Sequence, residues 1–174
     1  MKTVYSLILL FLTLSCNKES NKAYLQVRMV DQPVDFDSVN VEITSVQIHS
    51  SNGDSVSSGW VDLSTNAGMY NLLELQNGVS ASLADVNEIP LGKLQQMRLI
   101  LGDNNYAVAD SIIYPLDLSS QDKTGLKINL KVDVSATDSI EITLDFDASK
   151  SIIETQAGQY KLKPVIRLQE IIYF

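Results

Sequence analysis

From Ala23 onward, apolar residues recur at every second position in short runs, the period of strands with one dry and one wet face. The first run, with Tyr24, Val27 and Met29, ends at Asp31, and Pro33 marks the turn behind it. Val39, Val41 and Ile43 then alternate with Asn40, Glu42 and Thr44. At Ser45 the phase slips, and Val46 and Ile48 carry on the apolar side; a bulge and a strand buried on both faces both give that pattern. Ser50 to Asp54 has turn chemistry, and Trp60-Val61-Asp62-Leu63 reads as a short strand. Tyr70 to Leu75 fits either a short helical turn or an extended edge and stops at Asn77-Gly78. Val79 to Asn87 has no clean period and is expected to cover one end of the core.

Leu94 to Leu101, Tyr106 to Ala109, Ile112 to Leu118 and Leu126 to Val134 are further strands. Ile140, Ile142, Leu144 and Phe146 alternate with Glu141, Thr143 and Asp145, which predicts one dry and one wet face. Ser149 to Glu154 reads as a brief helix. Tyr160 to Phe174 reads as an edge or closing strand with Leu162, Val165, Ile166, Leu168 and Ile171 as core candidates. Seven to nine strands with little helix predict an all-β fold, by preference a β-sandwich, although a closed barrel shares the same period.

Ahead of this pattern the chain is different. Met1-Lys2-Thr3 is a short positive start, Val4 to Leu14 is almost wholly apolar, and Cys16 follows small Ser15. That is the layout of a signal peptide, too short to span a bilayer comfortably. Leu12-Thr13-Leu14-Ser15-Cys16 resembles the lipobox of bacterial lipoproteins, with Leu14 standing where a small residue is usual. The resemblance implies that Cys16 carries a diacylglycerol and acyl chains such as palmitate, which together attach stably where one chain is marginal. Asn17, in place of the aspartate that marks inner-membrane retention, points to the outer membrane, and Lys18-Glu19 resembles weakly an export signal to the cell surface. The expected division is therefore a leader over 1–15, a lipidated cysteine and polar tether over 16–22, and a single sandwich domain over 23–174.

Charge and composition narrow the partners. The formal net charge is −8, and loss of the leader, whose only charge is Lys2, makes it −9. With no basic run, nucleic acid is not an expected partner. Cys16 is the one cysteine, so the mature domain has no intramolecular disulfide, redox pair or zinc cluster. His49 is the one histidine, at a strand end beside Ser50 and Ser51; it reads as a surface residue unless an aspartate joins it. No Gly-x-Ser-x-Gly elbow or phosphate loop is present, and no activity is expected.

The remaining chemistry is carboxylate. Asp31, Asp35 and Asp37 flank Pro33, while Asp145 and Asp147 share one face of a strand, about 6 to 7 Å apart. These are the candidates for Ca²⁺, which takes six to eight oxygens, set against solvated carboxylates that close turns and blunt edges. Trp60, with Tyr70 and Tyr106, is either a binding patch or core edge. Ile171 to Phe174, with Tyr173 and Phe174 at its end, either closes the sheet or offers an edge for strand addition.

Several segments carry a family resemblance. Ala23 to Pro33, Val39 to Ile43, Val46 to His49, Arg98 to Asn105, Ser111 to Leu116, Ser120 to Leu126, Leu144 to Ile152 and Tyr160 to Arg167 are similar, in order and spacing, to the bacterial lipoprotein domain catalogued as domain of unknown function 4382. The resemblance implies a transthyretin-like (prealbumin-like), carboxypeptidase-regulatory-like Greek-key sandwich and a lipoprotein leader, and it supplies no catalytic residues. The expected role is a non-enzymatic binding or structural module, held on the envelope by its lipid, with a protein or glycan partner. The alternatives are a Ca²⁺-stabilised adhesin-type domain and a hydrolase of envelope polymers acting through Asp145 or Asp147.

Overall fold

A computed structural model describes residues 22–51, 59–155 and 158–174. The leader, Cys16 and most of the tether lie outside the described residues, as does the Asn52 to Asp54 part of the expected turn. The strands are β1 (Ala23–Asp31), β2 (Ser38–Ser51), β3 (Gly59–Asp62), β4 (Gly68–Asn71), β5 (Ala81–Ile89), β6 (Gly92–Leu101), β7 (Tyr106–Ala109), β8 (Ile112–Pro115), β9 (Asp117–Leu118), β10 (Leu126–Val134), β11 (Ser139–Phe146), β12 (Ile152–Glu154), β13 (Tyr160–Leu162) and β14 (Ile166–Tyr173). One helical turn, α1 (Ala148–Ser151), and two 3₁₀ turns, Leu72–Leu75 and Asp122–Thr124, complete the described elements.

The strands form an all-β, sandwich-like arrangement rather than a closed barrel. In the first sheet the order is β14-β11-β1-β5, with β1 and β11 parallel and the other pairs antiparallel. The second sheet centres on β2, which pairs antiparallel with β3, β4, β6 and β7; β10 extends it beyond β6 and β8 beyond β7. A small third sheet, β12-β13-β9, sits beside them. Alternation explains the packing: Leu25, Val27 and Met29 of β1 and Ile140, Ile142, Leu144 and Phe146 of β11 are buried. They share one core with Val41, Ile43, Val46 and Ile48 of β2 and Met97, Leu99 and Leu101 of β6. Burial of a side chain of this kind contributes about 1.5–3 kcal/mol.

The phase slip at Ser45 is a bulge: the β2–β6 register shifts between Ile43 and Ser45, so Val46 and Ile48 return to the core. The described residues contain fourteen strand segments, against the seven to nine expected. Seven have eight residues or more, and the surplus are pieces of two to four residues. Four of those short pieces are β3, β4, β7 and β8, which pair along or beside the long β2. Val79 to Asn87 does not cap the core; most of it belongs to β5, an edge strand on β1. Register shifts beside Val27 hide its period. Tyr70 to Leu75 is split, strand up to Asn71 and 3₁₀ turn after it, with Asn71 capping Leu73 N–H. The brief helix starts one residue early at Ala148, and Ile152–Glu154 is strand.

The sandwich has two unlike ends. At the near end Lys22 leads into β1, beside the start of β11 and the last residues of β5, β10 and β14. At the far end lie the turns after β1, β6 and β11, the 3₁₀ turns and the third sheet.

Gly102 opens the far-end turn after β6, and its N–H donates to the Glu42 carbonyl at 2.8 Å. A Cβ there would lie 2.0 Å from Glu42 Oε2. That oxygen accepts from Asn104 N and Nδ2, at 3.0 and 2.9 Å. Gly102→Ala is therefore expected to cost about 1–2 kcal/mol by expelling the carboxylate from those donors. Urea denaturation of Gly102→Ala, Glu42→Ala and the double variant checks this, because the two losses should overlap rather than add.

Candidate functional site

The predicted carboxylates do not form one site. Asp35 and Asp37 stay exposed, Asp37 accepting from Ser111 N at 3.1 Å. Asp31, Asp145 and Asp147 are all buried at the far end, where β1 and β11 finish side by side. Asp145 corrects the expected wet face, since it is 2% exposed. Parallel β1 covers one flank of β11 and β14 the other, and Arg167 of β14 compensates the charge. Its Nη2 and Nε lie 2.6 and 2.8 Å from Asp145 Oδ2, with Gln32 Nε2 at 3.4 Å. Asp145 Oδ1 is buried without a hydrogen-bond partner among the described residues.

Asp147 turns away from Asp145 to cap α1: it accepts from Lys150 N and Ser149 Oγ and pairs with the Lys150 ammonium. Burial pushes this carboxyl up, but the Lys150 and Ser149 hydrogen bonds and the Lys150 charge outweigh it and hold it below the usual range. Asp31 Oδ1 accepts from Ala148 N at 2.9 Å, and Oδ2 faces Gln76 Nε2 at 3.4 Å. Burial pushes Asp31 up to about 6, against the lowering effect of those donors, and the nearby Asp145 adds to the rise. Asp31 and Asp147 thus latch α1 to the ends of β1 and β11, and Asp145 ties β11 to Arg167 of β14. Among the described residues no group of three or more His, Cys, Asp or Glu is placed to hold a metal ion. Sequence reasoning missed Arg167 and Gln76, whose partnerships depend on strand order, and Lys150, whose pairing with Asp147 three residues earlier is local.

The latch positions a groove. From α1 the chain runs directly into β12, and Lys163 N donates to Ser151 O at 2.8 Å, tying β13's exit to the helix. Beside these strands is a groove of about 500 Å³ bordered by Asp117, Leu118, Asp122, Ile153, Lys161 and Lys163. Asp117 also borders a smaller hollow of about 220 Å³ with Tyr114, Pro115 and Tyr160. Tyr160 is held edge-on by Phe36 and Tyr114, at ring separations of 5.6 and 5.0 Å. Exposed Ile112, Ile113, Met69 and Ile153 share this end. A mixed aliphatic, aromatic and charged surface of this kind suits recognition.

The aromatic candidates are dispersed. Trp60 is half-buried on the second sheet, with Arg98 4.3 Å above its ring and His49 edge-on at 5.3 Å. Tyr70 and Tyr106 pair with Val41 and Asn40, whereas Trp60 pairs with His49, so the three make no patch. His49 Nδ1 is buried and bonded to no carboxylate among the described residues. Tyr173 and Phe174 lie at the near end of the edge strand β14, 53% and 76% exposed.

A protein-family model described as a domain of unknown function (DUF4382) matches residues 22–164. No curated protein and no solved structure matches the chain.

Proposed function

The chain belongs to the DUF4382 family of domains of unknown function, and from that premise we propose that it is a non-enzymatic, lipid-anchored envelope module that presents its far end to a partner. The observation that carries this reading is the polarity of the sandwich. The chain reaches β1 at one end, while the groove along β12 and β13 lies at the other. A tether on Cys16 would then hold the near end to the outer membrane and leave the groove open to the periplasm or the medium. The commitment of Asp31 and Asp147 to α1 and of Asp145 to Arg167 supports a role in binding or structure over hydrolysis. The partner on this reading is an envelope or surface protein or glycan. We further take the sandwich to be of the transthyretin-like Greek-key type, a reading supported by the central parallel β1–β11 pair within an otherwise antiparallel sheet.

Labelling cells with radioactive palmitate is expected to mark the wild-type protein and not Cys16→Ala. Protease treatment of intact cells then separates a surface-exposed domain, which is degraded, from one facing the periplasm, which survives until the outer membrane is opened. A wild-type protein without label would overturn the anchored reading. Binding to an envelope protein or glycan that is lost in Lys161→Glu would support the groove, whereas binding that ignores this substitution would place recognition elsewhere.

A further inference from the structure

The exposed aromatic residues gather at one end. Exposed aliphatic and methionine side chains lie elsewhere, Met69, Val79, Ile112, Ile113 and Ile153 at the far end and Val86 along β5. The exposed aromatic members are Tyr24, Tyr173 and Phe174, and all three are at the near end. Register places all three at this end, Tyr24 and Phe174 in the row of Ser139 and Tyr173 in the adjacent row of Ile140. Tyr24 pairs with Ser139 of β11, Tyr173 pairs with Ile140, and Phe174 N donates to Ser139 O at 2.9 Å. Tyr24 and Phe174 thus flank Ser139 from the two neighbouring strands, about 10 Å apart across the sheet. No core requirement explains their exposure, and the end of an edge strand is an easy place for polar side chains.

Although the chain carries −8, the charges of the described residues at this end pair off. Among the described residues Lys22, Lys93 and Lys131 offset Glu88, Asp133 and Asp138, with Lys22–Glu88 at 2.7 Å and Lys93–Asp133 at 3.8 Å. An anionic headgroup layer is therefore not repelled here. The reach of the tether adds the second constraint. Residues 16–22 can span at most about 25 Å, so an anchor on Cys16 keeps the near end within that distance of the bilayer. Tyrosine is favoured at the membrane–water boundary because its ring is apolar and its hydroxyl is not, and an exposed phenylalanine gains by leaving water there.

We propose that the near end of the sandwich rests on the bilayer, with Tyr24, Tyr173 and Phe174 seated in the headgroup layer. This rests on the anchored reading above, and it adds an orientation: the domain stands on its near end and the groove points away from the lipid. Weak apolar contacts suffice, because the tether already confines the domain to the surface.

Hydroxyl-radical footprinting of the mature, acylated protein tests it, in vesicles of phosphatidylethanolamine and phosphatidylglycerol against detergent micelles, with palmitate label scored on the same preparation. The expected result is several-fold slower oxidation of Tyr24, Tyr173 and Phe174 in vesicles, with Tyr114 and Met69 unchanged. Labelled protein whose near-end aromatics oxidise equally fast in both would overturn the orientation and leave the anchor standing. Equal protection of Tyr114 and Met69 would overturn it as well. Protein without label would overturn the anchor and this inference together.

Discussion

Arg167→Ala is expected to destabilise the domain by about 3 kcal/mol, the low end of what breaking a buried ion pair costs because half of the arginine side chain is in solvent. The substitution strands Asp145. Its Oδ2 keeps only the 3.4 Å contact from Gln32, and its Oδ1 already has no hydrogen-bond partner among the described residues. Water reaches a residue that is 2% exposed poorly, so the desolvated charge stays uncompensated. Chemical denaturation followed by circular dichroism measures the loss. Replacing both partners with apolar residues, Asp145→Leu with Arg167→Met, should recover most of it, since the penalty belongs to the orphaned charge and not to the missing bridge. A double variant as unstable as Arg167→Ala would contradict that account.

Asp31 should give the domain an unusual response to pH. Its carboxyl rises from 3.8 to about 6 on folding, so between those values the folded protein holds a proton that the unfolded chain has released. Stability falls wherever the native state binds more protons and pH increases. The contribution of Asp31 is thus most favourable below about pH 4 and is lost as pH rises through about 6. A shift of that size corresponds to roughly 3 kcal/mol. Asp147 acts in the opposite sense: its lowered carboxyl stabilises above 3.8, and that contribution fades in stronger acid. Together these two groups stabilise most near pH 4, and most of the Asp31 contribution is gone by pH 6. Asp31→Asn should keep the bond from Ala148 N while removing the titration. It is expected to be more stable than the wild type at pH 8, by up to about 3 kcal/mol, with the difference vanishing near pH 4. Melting curves across that range decide it, and a difference independent of pH would exclude Asp31 as the source.

The strands that bury one face were legible because a period of two survives any tertiary context. Val39 to Ile48 showed its phase slip, which the pairing with β6 resolves as a bulge, and Ile140 to Phe146 showed its dry face. What stayed hidden depends on neighbours. Asp145 looks solvated by alternation, and only the placement of β11 between β1 and β14 makes it buried. Ala81 to Ile89 is rich in short and polar residues, and its irregular pairing with β1 erases the period. Of the five aspartates weighed as Ca²⁺ candidates, spacing near Pro33 groups Asp31 with Asp35 and Asp37, whereas the fold buries it at the same end as Asp145 and Asp147. Arg167 gave no local signal, since an arginine in an edge strand reads as solvated.

The parallel pairing of β1 with β11 has a consequence for the order of folding. Gln26 meets Glu141, a partner 115 residues downstream. Loop-closure entropy opposes such a contact until much of the intervening chain has condensed. A chain emerging from its amino end therefore carries Leu25, Val27 and Met29 unsheltered on one side until the last third arrives. Assembly of the first sheet should be the slow step, and truncation ahead of Ser139 should leave β1 as an aggregation-prone free edge.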